Sequence, residues 1–325
     1  MPKPSSKVKT ASKRKRSAPQ PSPDVPPPAE EKDIVVRRGH LYGPQNIRFG
    51  KISGPGMVNY GAVTIGDFFK QDPDAFPNVP ASLQRVIQAV SENEGRIEAI
   101  NTYDNSFMSC GVFQWTAGAK GYAGELAGLL GLLSTDSPKS FEEYFGSVGI
   151  DVVLNKHDTD ELAYGYLKLN GKQLDSAKAK AVLRKHIWAY RFWRAAHDKE
   201  VRRAQILLAM QRVGTFYAKP VMHRRGLTVG DYITSEFGVA LLLDEHVNRP
   251  GHVPRTLLKG VDQYSKKTGR ADPSVWTDAD ERAVLVLYLA ERAKTSMTNS
   301  KQRAAATRRH VKSGELSDRR DSFRV

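Results

Sequence analysis

Two acidic side chains set the candidate chemistry of this chain. Glu94 lies ten residues before Asp104. A carboxylic acid and a carboxylate brought to one cleft are the minimum for acid–base cleavage of a glycosidic bond: one protonates the leaving oxygen, the other directs water. Just beyond them, Gly111-Val112-Phe113-Gln114-Trp115 offers a glycine that permits close backbone approach, an amide and two aromatic rings. Tyr103, Gln114 and Trp115 are candidate substrate-binding residues, by amide hydrogen bonding and by stacking on a sugar face. A second polar cluster, residues 244–251, follows an apolar run and ends in Pro250-Gly251. Asp244 and His246 join the candidate set from there.

These groups need elements to hold them. Leu83, Val86, Ile87 and Val90 recur at the spacing of one helical stripe, with Ser82 as a plausible N-cap, so a helix is expected from about 82 to Gly95 or a turn later. At about 100° per residue, Glu94 falls about 20° off that stripe and Glu92 about 180° off it. Glu94 is therefore the acid that burial and the helix C-terminus both push toward a raised pKa. A general acid working near neutral pH needs that property. Glu92, on the opposite face, is the alternative catalytic candidate.

Residues 99–115 are rich in β-formers and broken by Asn105 and Gly111, which predicts a small sheet or hairpin. Before the first helix, residues 33–38 and 46–52 read as short strands, residues 54–56 as a turn, and Thr64 as the cap of a short helix. Helices are expected over residues 176–197, 199–217, 229–246 and 278–294. Val284–Leu289 is apolar on every side and reads as a buried central helix. The fold class is mainly α (α+β), a helical domain with a small β-hairpin or sheet. Its expected divisions are a disordered Pro/Lys-rich tail (1–32), an accessory segment (33–80), a helical domain (81–297) and a second basic tail (298–325), also expected to be disordered, with some frayed helix around Ala304–Ala306.

A helix, a glutamate, then Gly-x-x-Gln about twenty residues later resembles goose-type lysozymes and soluble lytic transglycosylases, of the lysozyme-like superfamily. The resemblance covers residues 82–115, with Gly111-Val112-Phe113-Gln114 in the place of the Gly-Leu-Met-Gln stretch that lines the family's cleft. Glu94 is followed by Gly95 and Glu92 by Asn93, where the family has Glu-Ser. By family spacing both glutamates qualify, and the helical-face argument selects Glu94. The resemblance implies a lysozyme-like fold and cleavage of the β-1,4 bond between N-acetylmuramic acid and N-acetylglucosamine. Glu94 would be the acid and Asp104 the goose-type aspartate. Peptidoglycan or a related amino-sugar polymer would be the substrate, chitosan or chitin included. No cofactor is called for.

Composition bounds the alternatives. The 325 residues carry a formal charge of +15, of which residues 1–32 and 297–325 hold +5 each. Such tails are expected to adhere to an anionic envelope or to nucleic acid without sequence preference. A non-enzymatic polyanion-binding or structural protein on a lysozyme-like scaffold is thus the competing reading. Cys110 is the single cysteine, which excludes an internal disulfide. His157, Asp158, Asp160 and Glu161 lack paired metal-ligand spacing, so no metal site is expected. Neither a transmembrane run nor a signal peptide is read. The expectation is synthesis in the cytoplasm and action at the cell envelope after non-classical delivery, by a phage, secretion or contractile-injection apparatus.

Overall fold

A computed structural model describes residues 25–155, 162–221 and 226–325. Most of the N-terminal tail, and His157, Asp158, Asp160 and Glu161, lie outside the described residues. The first half is organised by one antiparallel meander. Strands β1 (Val35–Arg37), β2 (His40–Tyr42), β3 (Arg48–Ser53) and β4 (Gly56–Asn59) follow each other directly, with the expected turn at 54–56. The chain then forms α1 (Ile65–Gln71), capped by Thr64 as its sequence predicts, and α2 (Ala81–Ser91). It returns to the sheet as β5 (Ile100–Asn101), β6 (Ser109–Cys110) and β7 (Trp115–Thr116). Val58 pairs with Asn101, so β4 and β5 are neighbours. The sheet therefore runs across the boundary expected at residue 80, and the accessory segment is continuous with the domain that follows.

The second half is helical around a three-stranded sheet. Helices α3 (Glu125–Asp136) and α4 (Pro138–Tyr144) precede β8 (Ile150–Leu154), β9 (Gly165–Leu169) and β10 (Lys172–Gln173). Then come α5 (Ala177–Lys180), α6 (His186–Ala195), α7 (Lys199–Tyr217), α8 (Val229–Tyr232), α9 (Glu236–Asn248), α10 (Val253–Thr268), α11 (Asp278–Arg292) and α12 (Ser300–Lys312). The fold is mainly helical with small antiparallel sheets, an α+β class. Among the described residues, no helix is long and apolar enough to cross a membrane.

Six expectations are corrected. The helix read over 176–197 is interrupted at Lys185, whose backbone is extended (ψ 135°), and the one over 229–246 is interrupted before Ser235, which caps α9. The central helix is α9, in which all eleven residues from Glu236 to His246 are buried; α11 leaves Val286 62% exposed and presents one apolar face only. Ser82 does not cap α2; its hydroxyl accepts the Arg324 amide at 2.9 Å. The C-terminal segment expected as a disordered tail forms α12 and a packed strap, with Leu316 and Phe323 3% exposed. Its cations end on acids of other elements: Arg320 on Glu281 at 2.8 Å, and Arg303 on Glu94 and Asp244. Composition records those arginines as excess charge because their partners are distant in sequence. Residues 25–32, assigned to the other tail, lie along α6. There the carbonyls of Pro26 and Pro27 accept from Arg194 and Tyr190, both at 2.7 Å.

Candidate active site

Helix α2 buries Leu83, Val86, Ile87 and Val90 and stops at Ser91. A tight turn continues it: the amides of Glu94 and Gly95 donate to the Ser91 carbonyl at 3.0 and 3.1 Å. The two glutamates then diverge. Glu92 is 49% exposed and lies 3.3 Å from the His310 ring of α12. Glu94 is 13% exposed. Its Oε1 accepts from Asn248 Nδ2 at 2.9 Å and from Arg303 Nη2. Burial is the dominant influence on the Glu94 carboxyl and raises its pKa; Arg303 opposes the rise, Asp244 adds to it, and Asn248 opposes.

Arg303 links this acid to a second one. Its Nε donates to Asp244 Oδ1 at 2.9 Å and its Nη1 to the Asn93 carbonyl at 3.2 Å. Asp244 is fully buried and its Oδ2 accepts from Arg292, also fully buried, at 2.8 Å. Glu94, Arg303, Asp244 and Arg292 thus alternate in sign, and each buried charge is met by an opposite one, as burial requires.

Gly95 seats this turn against the Gly111–Gln114 loop. A Cβ at Gly95 would stand 3.3 Å from both Gln114 Nε2 and the Gly111 carbonyl. Gln114 adopts a positive φ of 50° and its amide donates to that same carbonyl at 2.8 Å. Gly111, at φ 80°, leaves room for Gln205 of α7, whose Oε1 would sit 2.3 Å from a Cβ there. Gln205 accepts from the Val112 amide at 3.2 Å and donates to the Ile97 carbonyl at 3.1 Å, tying the loop to the strand entry.

The other candidates are placed differently. Asp104 belongs to the β5–β6 turn. Its oxygens accept from Asn101 Nδ2 and the Ser106 amide, each at 2.8 Å, and Arg184 holds its carbonyl at 2.7 Å. Among the described residues, no hydrogen bond joins Asp104 to Glu94. Tyr103 is 41% exposed beside it. Trp115, a candidate for stacking on substrate, is fully buried in the core, 6.0 Å ring to ring from Phe113, and presents no face to a ligand. Alternation along β7 turns it inward. His246 points away from Asp244, about 200° round α9. Its Nδ1 lies 3.4 Å from Arg212 and its Nε2 3.4 Å from Thr215. It lines a cavity of about 250 Å³ with Tyr164, Thr215, Phe216 and Lys219. Burial, then Arg212 and Lys219, push its pKa down to about 3, so the imidazole is neutral near pH 7.

Comparison with family models, curated proteins and solved structures finds no match to this chain. The lysozyme-like resemblance therefore rests on the residues themselves. Among the described residues, no three His, Cys, Asp or Glu side chains are grouped to hold a metal ion. Sequence reasoning placed Asn248 in the 244–251 cluster but missed Arg292, Arg303 and Gln205 as parts of the site. The signal that leads to Arg303 is the helix expected around Ala304–Ala306, which Gly314, at φ 80°, is the residue type to stop.

Proposed function

We propose that this chain is a glycosidase acting on peptidoglycan or a related amino-sugar polymer, lysozyme-like in its site, with Glu94 as general acid. One observation carries the reading: Glu94, in the turn beyond α2, is held at 13% exposure beside the Gly111–Gln114 turn, whereas Glu92 stands half in solvent. A carboxyl so desolvated retains its proton toward neutral pH once its cation partner withdraws.

In this reading Glu94 gives its proton to the bridging oxygen as the bond from C1 to that oxygen breaks. Water directed by Asp104 then adds to C1 and yields its proton to that carboxylate, which is hydrolysis. Alternatively the sugar's own C6 hydroxyl adds, returning its proton to Glu94 and closing the 1,6-anhydro ring of a lytic transglycosylase. Arg303 and Asn248 both engage Oε1, so the proton is given from Oε2, and an Arg303 that draws away lets the carboxyl hold that proton more firmly. Action at the cell envelope, reached by phage, secretion or contractile-injection delivery, belongs to the same reading.

A second reading has its own support. Arg303 and Asn248 satisfy the Glu94 carboxyl as they would in a scaffold without activity. Turbidity of a purified cell-wall suspension separates the two. Glu94→Gln is expected to lower clearing at least about a hundredfold, the usual scale for a lost general acid, with Glu92→Gln close to wild type. Equal loss in both variants, or no clearing by the wild type, overturns the enzymatic reading. Product mass then distinguishes anhydro-muropeptides, reducing muropeptides and the glucosamine oligomers of a chitosan or chitin hydrolase.

A further inference from the structure

The outer face of the N-terminal meander is basic and aromatic, and none of the chemistry above uses it. Between Asp33 and Asp67 the chain has no acidic residue, yet it carries Arg37, Arg38, Arg48 and Lys51. Strand register gathers most of them on one side. Arg37 lies opposite His40 and His40 opposite Lys51, while Tyr42 lies opposite Arg48. Directly opposed residues share a face of a sheet. The other face is filled by Leu41, Phe49 and Met57, all fully buried, so the meander has one side committed to the core and one to solvent.

On the solvent side the cations sit against rings. Lys51 Nζ is 5.3 Å from the centroid of Tyr60, and the Arg37 guanidinium 5.7 Å from that of Tyr42. Tyr60 is 70% exposed and borders a hollow of about 330 Å³ shared with Arg48, Lys51 and Asn59. Among the described residues, Arg37, Arg38, Arg48 and Lys51 form no ion pair, in contrast to Arg292 of α11 and Arg303 of α12, which end on buried carboxylates. Among the described residues, the charge on this sheet is therefore uncompensated.

We infer that the outer face of β1–β3, with Tyr60, is a binding surface for single-stranded nucleic acid. Phosphates meet Arg37, Arg48 and Lys51, and an unpaired base stacks on Tyr60 at the rim of the hollow. Cations that track a backbone, interleaved with exposed rings that accept bases, are the two components such binding requires. An acidic peptide satisfies the cations and leaves Tyr60 without a use. A duplex keeps its bases stacked away from the ring. The inference is independent of Glu94 and of any glycosidase activity.

The test uses the full chain and a fluorescent oligothymidine of about 20 nucleotides, with anisotropy read at about 50 and about 200 mM salt. Arg48→Glu with Lys51→Glu is expected to weaken binding about tenfold or more. It should also flatten the slope of log affinity against log salt by at least about 1.4, since each neutralised phosphate of a single strand contributes about 0.7. Tyr60→Ala is expected to cost about tenfold on oligothymidine and nothing on an abasic strand of the same length. Unchanged binding by the double charge variant overturns the proposal and assigns the affinity to the lysine-rich first residues. Equal loss on both strands by Tyr60→Ala, or equal competition by polyglutamate, also overturns it. All three side chains are exposed, and matched thermal melts exclude misfolding as the cause.

Discussion

His246 is neutral in the fold and charged in the unfolded chain over a defined acid range. Its pKa is pushed down to about 3, whereas a free histidine titrates near 6.5. The unfolded state therefore binds a proton that the folded state refuses. The stability contributed by burying the neutral ring is complete above about pH 6.5 and is lost as pH falls toward 3, at up to about 1.4 kcal/mol per pH unit. Urea unfolding between pH 4 and 7 is expected to show a shallower acid decline for His246→Gln than for the wild type. Parallel curves would mean that the ring already gains its proton in the fold. The same comparison explains why His246 was legible only as a polar residue near a helix end: its environment comes from Arg212 and Phe216 on α7, thirty residues and more away.

The element that decides the state of the candidate site is α12. Thr307 is fully buried, and the Arg308 guanidinium lies 3.9 Å from the centroid of Phe237, so the helix is docked as well as ion-paired. Replacing Arg303 by Met leaves Asp244 with Arg292 but leaves Glu94 without its cation. A lost partner of a largely buried pair costs about 3–5 kcal/mol. The discarded attraction also frees Glu94 to keep its proton. Arg303→Met is therefore expected to lower the melting temperature without lowering cell-wall clearing. A variant that melts like the wild type would show that the ion pair is too solvated to matter, and a loss of clearing in folded protein would make Arg303 part of the machinery. Helix α2 and its stripe were readable because adjacent turns report burial locally. Helix α10, whose buried Leu257, Val261 and Tyr264 follow the same spacing, was passed over in the sequence. Helix α12 is legible in the sequence only as frayed helix around Ala304–Ala306, because its docking comes from partners in α2 and α9.

At the scale of the whole molecule, the sheet and the C-terminal strap make the expected divisions inseparable. Strand β5 pairs with β4, and Ser82 at the start of α2 exchanges hydrogen bonds with the backbone of Arg324. A fragment starting at residue 81 would expose the pairing edge of β5. One ending at 297 would leave Glu281 without Arg320, Asp244 without Arg303, and Glu236 without the Ser317 amide. Both fragments are expected to lose the cooperative thermal transition of the full chain, read by circular dichroism. A sharp, unshifted melt of residues 81–325 would restore the accessory segment to the status of a separate unit.

Glu94 turns inward as expected, but from a turn beyond Ser91, where α2 stops short of the expected end near Gly95. Local patterning by itself determined the buried stripe of α2, the strands β1 and β3 with the turn at 54–56, and the short strands around residues 100–116. Each follows from the period of a helix or strand and from the few residues on either side. Only the tertiary structure decided that Glu94 meets Arg303, that Trp115 is core, that Asp104 is bound within its own turn, and that the last basic segment is an ordered part of the fold. Those outcomes are pairings between groups far apart in the chain. Charge and polarity announce that a partner is needed, but the partner itself is chosen by packing.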